Sequence, residues 1–192
     1  PCIWRWSMEE ELHLPVMRGG FNLICKTGVA EDGHILGKYI QTNQDCGAYC
    51  YRGNKAIDRH ANAAVGPYNI PCYWFDGRVV HTNKTPAAAL RGFAVPPGSL
   101  ASEVSIDRVA KQIGMDPLEF RILNALRDGD LNANGQAVYG TGIRACLEAL
   151  RPAWNEPFER EPDPRHVRGR GIGAALMPVG CTGGSGSFTG SA

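Results

Sequence analysis

At 192 residues, with 43% hydrophobic and 20% charged residues and a formal net charge of +1, the chain has the composition of an ordinary globular protein. The near-neutral balance gives no electrostatic reason to expect nucleic acid or a membrane surface as a partner, and no run approaches the roughly 18 consecutive apolar residues of a membrane span. The first residues lack a signal-peptide pattern, so we expect a cytoplasmic protein. The absence of an initial Met and the glycine-rich end suggest an internal fragment.

The seven cysteines are scattered along the chain, and none forms a Cys-x-x-Cys pair. Only Cys46 and Cys50 lie close together in sequence, and no second Cys or His pair stands at the spacing of a metal site. We therefore expect free thiols and no metal ligands.

The first half of the chain has the pattern of β-structure. Residues 21–40 predict a hairpin around Asp32-Gly33, because an Asp-Gly pair supplies the positive φ angles that a hairpin turn needs. Residues 55–65 carry apolar side chains at helical spacing. Residues 70–82 are again β-rich, and Asp76-Gly77 within them predicts a second, irregular hairpin.

The second half predicts three short helices. Ser99 is the expected N-cap of the first, whose apolar residues recur at helical spacing until Gly114. Asp116 and the proline after it open a second helix that runs until Gly129. The third helix begins at Thr141.

A change of composition follows these helices. Residues 151–169 are rich in proline and charge, which predicts an exposed linker. The apolar residues 171–177 after it have the pattern of the first strand of another unit.

Generic catalytic signatures are missing from this sequence. It contains no GxSxG elbow, no HExxH, no P-loop and no GxGxxG after a strand. The residues by themselves therefore indicate an α+β chain and no particular chemistry.

Two linked motifs carry a family resemblance. Residues 91–97 read Arg-Gly-Phe-Ala-Val-Pro-Pro, and residues 114–124 read Gly-Met-Asp-Pro-Leu-Glu-Phe-Arg-Ile-Leu-Asn. They resemble the Arg-Gly-Phe-Gly-x-Pro-Gln loop and the Gly-x-Asp-Pro-x-x-x-Arg-x-x-Asn helix of the molybdenum hydroxylases, the xanthine dehydrogenase and aldehyde oxidase family. Weaker matches at Ser7–Glu11, Asp45–Tyr49 and Gly169–Gly173 extend the resemblance over nearly the whole chain.

The resemblance implies an α+β fold that is part of the molybdenum-cofactor-binding region of a large subunit, with β-hairpins followed by short helices. Residues 1–150 would be the C-terminal part of the first cofactor-binding lobe, 151–169 the linker, and 170–192 the truncated start of the second lobe.

The resemblance also assigns the loop of the first motif. Arg91, Gly92, Phe93 and Ala94 would bind the cofactor, and Phe93 would stack on the substrate, since an aromatic face fixes the plane of a flat ring and glycine allows close backbone approach. The alternative is an ordinary turn with a core Phe. Ala94 and Pro97 depart from the Gly and Gln of the family pattern, which removes loop flexibility and a side-chain hydrogen bond.

Three further residues are candidate substrate contacts. Arg59 stands where xanthine-oxidising members carry an arginine that polarises a substrate carbonyl, although a solvated surface arginine is the alternative. Phe188 and Thr189 match a stretch that adds an aromatic ring and a hydroxyl to the pocket. The family's general base, a Glu near the end of the full subunit, lies outside this sequence, so we expect no catalytic residue here and an inactive chain when isolated.

The implied function is oxidation of an N-heterocycle, a purine or an aldehyde, with water as the oxygen source. The implied cofactor is molybdenum-molybdopterin in its cytosine dinucleotide form. Electrons would pass to iron-sulfur clusters and FAD on partner subunits or domains of an oligomeric enzyme. The alternative is a non-catalytic structural or interaction remnant of such a subunit, which the flanking gene sequence would distinguish.

Overall fold

The computed structural model describes residues 1–13, 17–87, 89–132, 135–157, 163 and 165–177. It shows an α+β fold in which helices pack on a three-stranded sheet. Among these residues, no helix combines the length and the hydrophobicity that crossing a membrane requires. The elements in chain order are α1 (Met8–His13), β1 (Phe21–Val29), β2 (Ile35–Gly47), α2 (Gly53–Ala63), β3 (Tyr73–His81), α3 (Val95–Gln112), α4 (Pro117–Asn124), α5 (Ile143–Ala149) and α6 (Arg151–Asn155).

The predicted first hairpin is confirmed. Strands β1 and β2 pair antiparallel, from Phe21 opposite Gln44 to Gly28 opposite Gly37. The turn between them uses Gly33 at φ 91°, whose N–H donates to the Ala30 carbonyl at 3.0 Å. A positive φ is the conformation that glycine adopts without a steric penalty, so the Asp-Gly signal was interpreted correctly.

The predicted second hairpin is wrong. Residues 73–81 form one strand, β3, which pairs parallel to β2 with Gly77 opposite Thr42. Helix α2 supplies the crossover that two parallel strands need. Gly77 marks close packing instead of a turn, because a Cβ there would lie 2.8 Å from Ile57 Cγ1 on α2 and would collide with the Phe75 ring.

Helix α2 confirms the helix predicted at residues 55–65, whereas α3 begins earlier than predicted. Ala94, at φ 66°, precedes the first helical residue, and Pro96 lies in the first turn, where a missing N–H costs nothing. The predicted N-cap, Ser99, therefore lies inside the helix. The end is as predicted, with Gly114 at φ 71° just beyond it.

Helix α4 opens as predicted and ends sooner. The Asp116 carboxylate accepts hydrogen bonds from the backbone N–H groups of Leu118 and Glu119 at 2.8 and 3.1 Å, which is an N-cap. The helix stops at Asn124, not at Gly129. The chain leaves the helix there because Ala125 turns extended, at ψ 139°, to pair with a residue after α2.

Asn124 joins helix α4 to the hairpin. Its side-chain oxygen accepts from the Ile35 N–H at 2.8 Å, and its side-chain nitrogen donates to the carbonyls of Gly33 and Phe120 at 3.0 and 2.9 Å. The fully satisfied buried amide fixes the position of the turn against the helix.

The C-terminal part departs from two predictions. Helix α5 confirms the third predicted helix, but α6 occupies the start of the stretch predicted to be a linker. Residues 171–177 contain no strand. They lie instead on the preceding helices, where the Ala174 N–H donates to Glu103 Oε2 at 2.9 Å and Ile172 packs on apolar residues of α4 and α5. The division into two lobes stays a prediction.

Apolar clusters and a buried ionic group hold the described helices together. The larger cluster joins the hairpin to α3 and α4, and the smaller one joins α4 to α5. Arg121 of α4 is 0% exposed, and its Nε donates to Glu103 Oε2 at 2.9 Å while its Nη1 lies 2.8 Å from Asp107 Oδ1, both on α3. The members of the larger cluster are Ile35, Val65, Tyr68, Ile70, Ile106, Val109, Ala110 and Phe120, and those of the smaller are Leu118, Ile122, Ala125 and Leu147.

Candidate functional site

The loop of residues 90–94 lies at the N-terminus of α3 and has an unusual backbone. Three successive residues, Gly92, Phe93 and Ala94, have positive φ angles of 96°, 38° and 66°. Two hydrogen bonds close the loop, from the Phe93 N–H to the Leu90 carbonyl at 2.8 Å and from the Val95 N–H to the Gly92 carbonyl at 2.9 Å. The first motif of the sequence therefore forms a tight left-handed turn.

Glycine is required at position 92 and favoured at position 94. A Cβ on Gly92 would lie 2.8 Å from Pro96 Cγ. The left-handed conformation costs an L-residue with a side chain about 1–2 kcal/mol. This cost explains why glycine suits position 94 in the family pattern, and it shows that the alanine in this chain holds a strained conformation.

The side chains of the loop face different surroundings. Arg91 is exposed, Phe93 is half-buried and Ala94 is buried. Part of Phe93 is open to the surroundings, whereas a fully enclosed core Phe would be closed to any ligand. The four residues that the resemblance assigned to the cofactor therefore lie together on one turn.

A second guanidinium lies beside this loop. Arg18 Nη2 donates to the Arg91 carbonyl at 2.6 Å. Its other terminal nitrogen, Nη1, is buried and has no hydrogen-bond partner among the residues that the structure describes. A buried donor without an acceptor is costly, so this position suits an acceptor oxygen of a bound group.

His60 of α2 lies behind the loop. It is 0% exposed, and its two ring nitrogens lie 3.2 Å from the Ala94 carbonyl and 3.1 Å from Thr42 Oγ1. Burial lowers the pKa of His60 below its ordinary value of 6.5, so the ring is neutral at pH 7. The histidine therefore connects the end of the loop to the sheet.

Arg59 precedes His60 on α2 and is only 7% exposed. The interpretation of Arg59 as a solvated surface arginine is therefore wrong. Phe188 and Thr189 lie outside the described residues.

In the part of the chain that the structure describes, the potential metal ligands and the cysteines form neither a metal-binding cluster nor a disulfide. No group of three or more His, Cys, Asp or Glu side chains there is arranged to hold a metal ion. Six cysteines are described, at positions 2, 25, 46, 50, 72 and 146, and all six are free thiols.

The comparison with protein families decides the identity. Residues 1–125 match the family model of the molybdopterin cofactor-binding domain, and this range includes the loop. The chain belongs to this family. Among similar curated proteins is the large molybdopterin subunit of nicotinate dehydrogenase from Eubacterium barkeri, 36% identical over 76% of this chain and 34% of that protein. The aldehyde oxidoreductase of Megalodesulfovibrio gigas is 31% identical over 95% of this chain and 20% of that protein.

Solved structures of the molybdopterin-binding family have the same fold. Aldehyde oxidoreductase from Desulfovibrio gigas matches 78% of this chain and 16% of its own chain, at 32% identity and a TM-score of 0.75. Quinoline 2-oxidoreductase from Pseudomonas putida 86 matches 79% of this chain and 20% of its own, at 26% identity and a TM-score of 0.70. The chain thus corresponds to part of the molybdenum-cofactor-binding region of larger oxidoreductases, and spans about a third or less of these relatives.

Two residues of the site were missed by sequence reasoning. His60 carries no local motif, and only the packing of α2 on the start of α3 brings it to the loop. Arg18 is followed by Gly19-Gly20, and a Cβ at Gly19 would collide with the Asp45 carbonyl. Paired glycines after an arginine were therefore a usable signal of close packing at this point.

Proposed function

We propose that this chain forms part of the cofactor and substrate site of a molybdenum hydroxylase that oxidises an N-heterocycle, a purine or an aldehyde, with water as the source of oxygen. The observation that carries the proposal is the left-handed turn of residues 91–94, which lies within the family match and presents backbone, a guanidinium and an aromatic ring together. Since the chain spans a minor part of its relatives, the activity would belong to the full-length subunit.

The residues around the turn fit a molybdopterin group. Such a group is anionic through its phosphate and has several acceptor oxygens. These suit the exposed Arg91 and Arg18 Nη1, which has no hydrogen-bond partner within the described part of the chain. Gly92 leaves the backbone open to close approach because it has no side chain. When bound, the cofactor would supply the redox chemistry, and the chain would supply binding and orientation.

The substrate would lie against Phe93. A half-buried ring beside the cofactor can stack on a flat heterocycle and fix its plane. Arg59 would supply positive charge toward a substrate carbonyl or carboxylate from within the protein, where a charge acts more strongly than in water. Phe188 and Thr189 stay proposed contacts on the basis of the sequence resemblance.

The remaining parts of the enzyme would lie outside this chain. We propose the cytosine dinucleotide form of the cofactor, iron-sulfur clusters and FAD on partner subunits or domains, and a cytoplasmic oligomer. The general base would likewise come from another part of the full-length subunit.

The test is made on the full-length subunit expressed with its partner subunits. Molybdenum content is measured by elemental analysis, and turnover is measured with nicotinate, xanthine, quinoline and an aldehyde. We expect stoichiometric molybdenum and turnover of at least one of these compounds. A folded protein without molybdenum and without turnover would contradict the proposal and favour the non-catalytic remnant.

A pair of variants tests the role of the turn. Arg18→Met keeps the length and apolar stem of the side chain but removes its donors, so the molybdenum content should fall. Arg144→Met is the matched control, because Arg144 makes a half-exposed pair with Glu148 on α5 at 2.9 Å, away from the turn. Equal molybdenum content in both variants would count against a cofactor contact at Arg18.

A further inference from the structure

The hydrogen bonds of His60 determine which ring nitrogen carries its proton. The Ala94 carbonyl can only accept, so Nδ1, at 3.2 Å from it, must carry the hydrogen and donate. In a neutral ring the other nitrogen, Nε2, is then an acceptor, and the Thr42 hydroxyl donates to it across 3.1 Å. Both hydrogen bonds therefore run in the same direction, from Thr42 on the sheet through His60 to Ala94 in the loop.

Neighbouring side chains hold the His60 ring in the orientation that these two hydrogen bonds require. Phe21 of β1 stacks on the His60 ring with centroids 5.0 Å apart, and Phe75 of β3 lies against it at 5.8 Å. Gly98 of α3 closes the remaining side, where a Cβ would lie 3.2 Å from Nδ1 and 3.2 Å from the Ala64 nitrogen. A side chain at position 98 would push α3 away from the histidine.

The residue that His60 contacts is the strained one. Ala94 has a positive φ that its side chain disfavours, and such a conformation persists only where the surrounding structure enforces it. The Ala94 carbonyl has His60 Nδ1 as its side-chain partner, and Val95 just after it begins α3. The imidazole is thus placed to hold the last residue of the turn in position.

We propose that His60 is a positioning residue of the molybdenum site, which holds the Arg91–Ala94 turn in its left-handed conformation by donating Nδ1–H to the Ala94 carbonyl. The proposal rests on the proposed function for its effect on turnover, and on the geometry alone for its effect on the turn. In this role His60 touches neither substrate nor cofactor and acts through Ala94.

Two amide variants separate this role from ordinary packing. The side-chain amide nitrogen of an asparagine corresponds to Nδ1, and that of a glutamine corresponds to Nε2. In the full-length subunit, His60→Asn should keep the bond to Ala94 and lose the contact with Thr42. His60→Gln should do the reverse. Both remove the aromatic ring, and asparagine, one methylene shorter than glutamine, removes more packing at this buried position. Lost packing alone would therefore disturb the turn more in His60→Asn, which is the opposite of the order that the hydrogen bond predicts.

Hydrogen–deuterium exchange of the Phe93 and Val95 amides reports the turn directly. We expect His60→Gln to exchange about tenfold faster than wild type at these amides, as for the loss of one hydrogen bond, and His60→Asn to stay within about twofold. Molybdenum content and kcat should follow the same order. Equal exchange rates at the turn in the two variants would overturn the positioning role.

Wild-type protein provides a second test that does not depend on a variant folding. Neutron diffraction from crystals of the full-length subunit locates the histidine hydrogen, and the proposal requires it on Nδ1. A hydrogen on Nε2 alone would refute the bond to Ala94.

The failure of the proposed function can be told apart from the failure of the positioning role. If wild type has no molybdenum and no turnover, the proposed function fails, while the exchange rates of the turn amides still decide whether His60 holds the turn.

Discussion

Replacing Arg121 by alanine should destabilise the chain more than any change to its surface ion pairs. The guanidinium is fully buried and serves two carboxylates of α3, of which the Glu103 side chain is 13% exposed and that of Asp107 is 49% exposed. Removing one partner of a buried ion pair costs about 3–5 kcal/mol, because the other charge is left without compensation. Asp107 can turn to water, and Glu103 keeps hydrogen bonds from the Tyr68 hydroxyl and the Ala174 N–H, so we expect the lower end of this range, about 3 kcal/mol.

The assay is urea-induced unfolding of the 192-residue chain at pH 7, followed by tryptophan fluorescence. The control is Arg144→Ala, which breaks a pair on one helix turn whose side chains are 41% and 39% exposed and should cost about 0.3–0.5 kcal/mol. Combining Arg121→Met with Glu103→Leu should cost less than the sum of these two single changes, because the guanidinium and the more buried of its two carboxylate partners are removed together. A loss below about 1 kcal/mol for Arg121→Ala would refute the reasoning.

Four further predictions follow from the site and the chain. Phe93→Ala in the full-length subunit should lower kcat/KM for flat substrates with little change in Tm, whereas a loss of about 3–5 kcal/mol with unchanged kinetics would mark a core residue. The isolated chain should contain no molybdenum by elemental analysis, since parts of the site would lie elsewhere. Limited proteolysis should cut first within residues 156–169, and first cuts within α3 would contradict the linker. The folded-state pKa of His60 is lowered, so the unfolded chain binds more protons near pH 6. Wild type should therefore lose more unfolding free energy than His60→Asn as the pH falls below 6.5, and parallel pH profiles would exclude this contribution.

Local sequence signals predicted the parts of the fold that local chemistry determines. The Asp-Gly turn before β2 and the Asp116 cap of α4 each depend on a few adjacent residues, and both are confirmed. The same kind of signal misled at Asp76-Gly77, where glycine serves contact with α2. A dipeptide cannot show whether glycine is needed for its φ angle or for its missing Cβ.

The candidate site shows the same limit of local patterns. The motif placed Arg91, Gly92, Phe93 and Ala94 on one loop, and the structure shows them on one turn. The sequence left two interpretations of Arg59, on the surface or in the interior. Helical spacing shows which face of a helix is polar, but it does not show what packs against that face. His60 could not be found, since its role depends on contacts with residues 18 and 34 positions away.

The contacts of Glu103 join segments of the chain that leave the ribosome at different times. Its carboxylate bonds to Arg121, which lies 18 residues later, and to the backbone of Ala174, which lies 71 residues later. Because the chain emerges from the ribosome N-terminus first, the arginine is available long before the alanine. The ionic group between α3 and α4 can therefore form on the nascent chain with one acceptor position still open. The segment around residue 174 would dock onto a helical pair that is already complete.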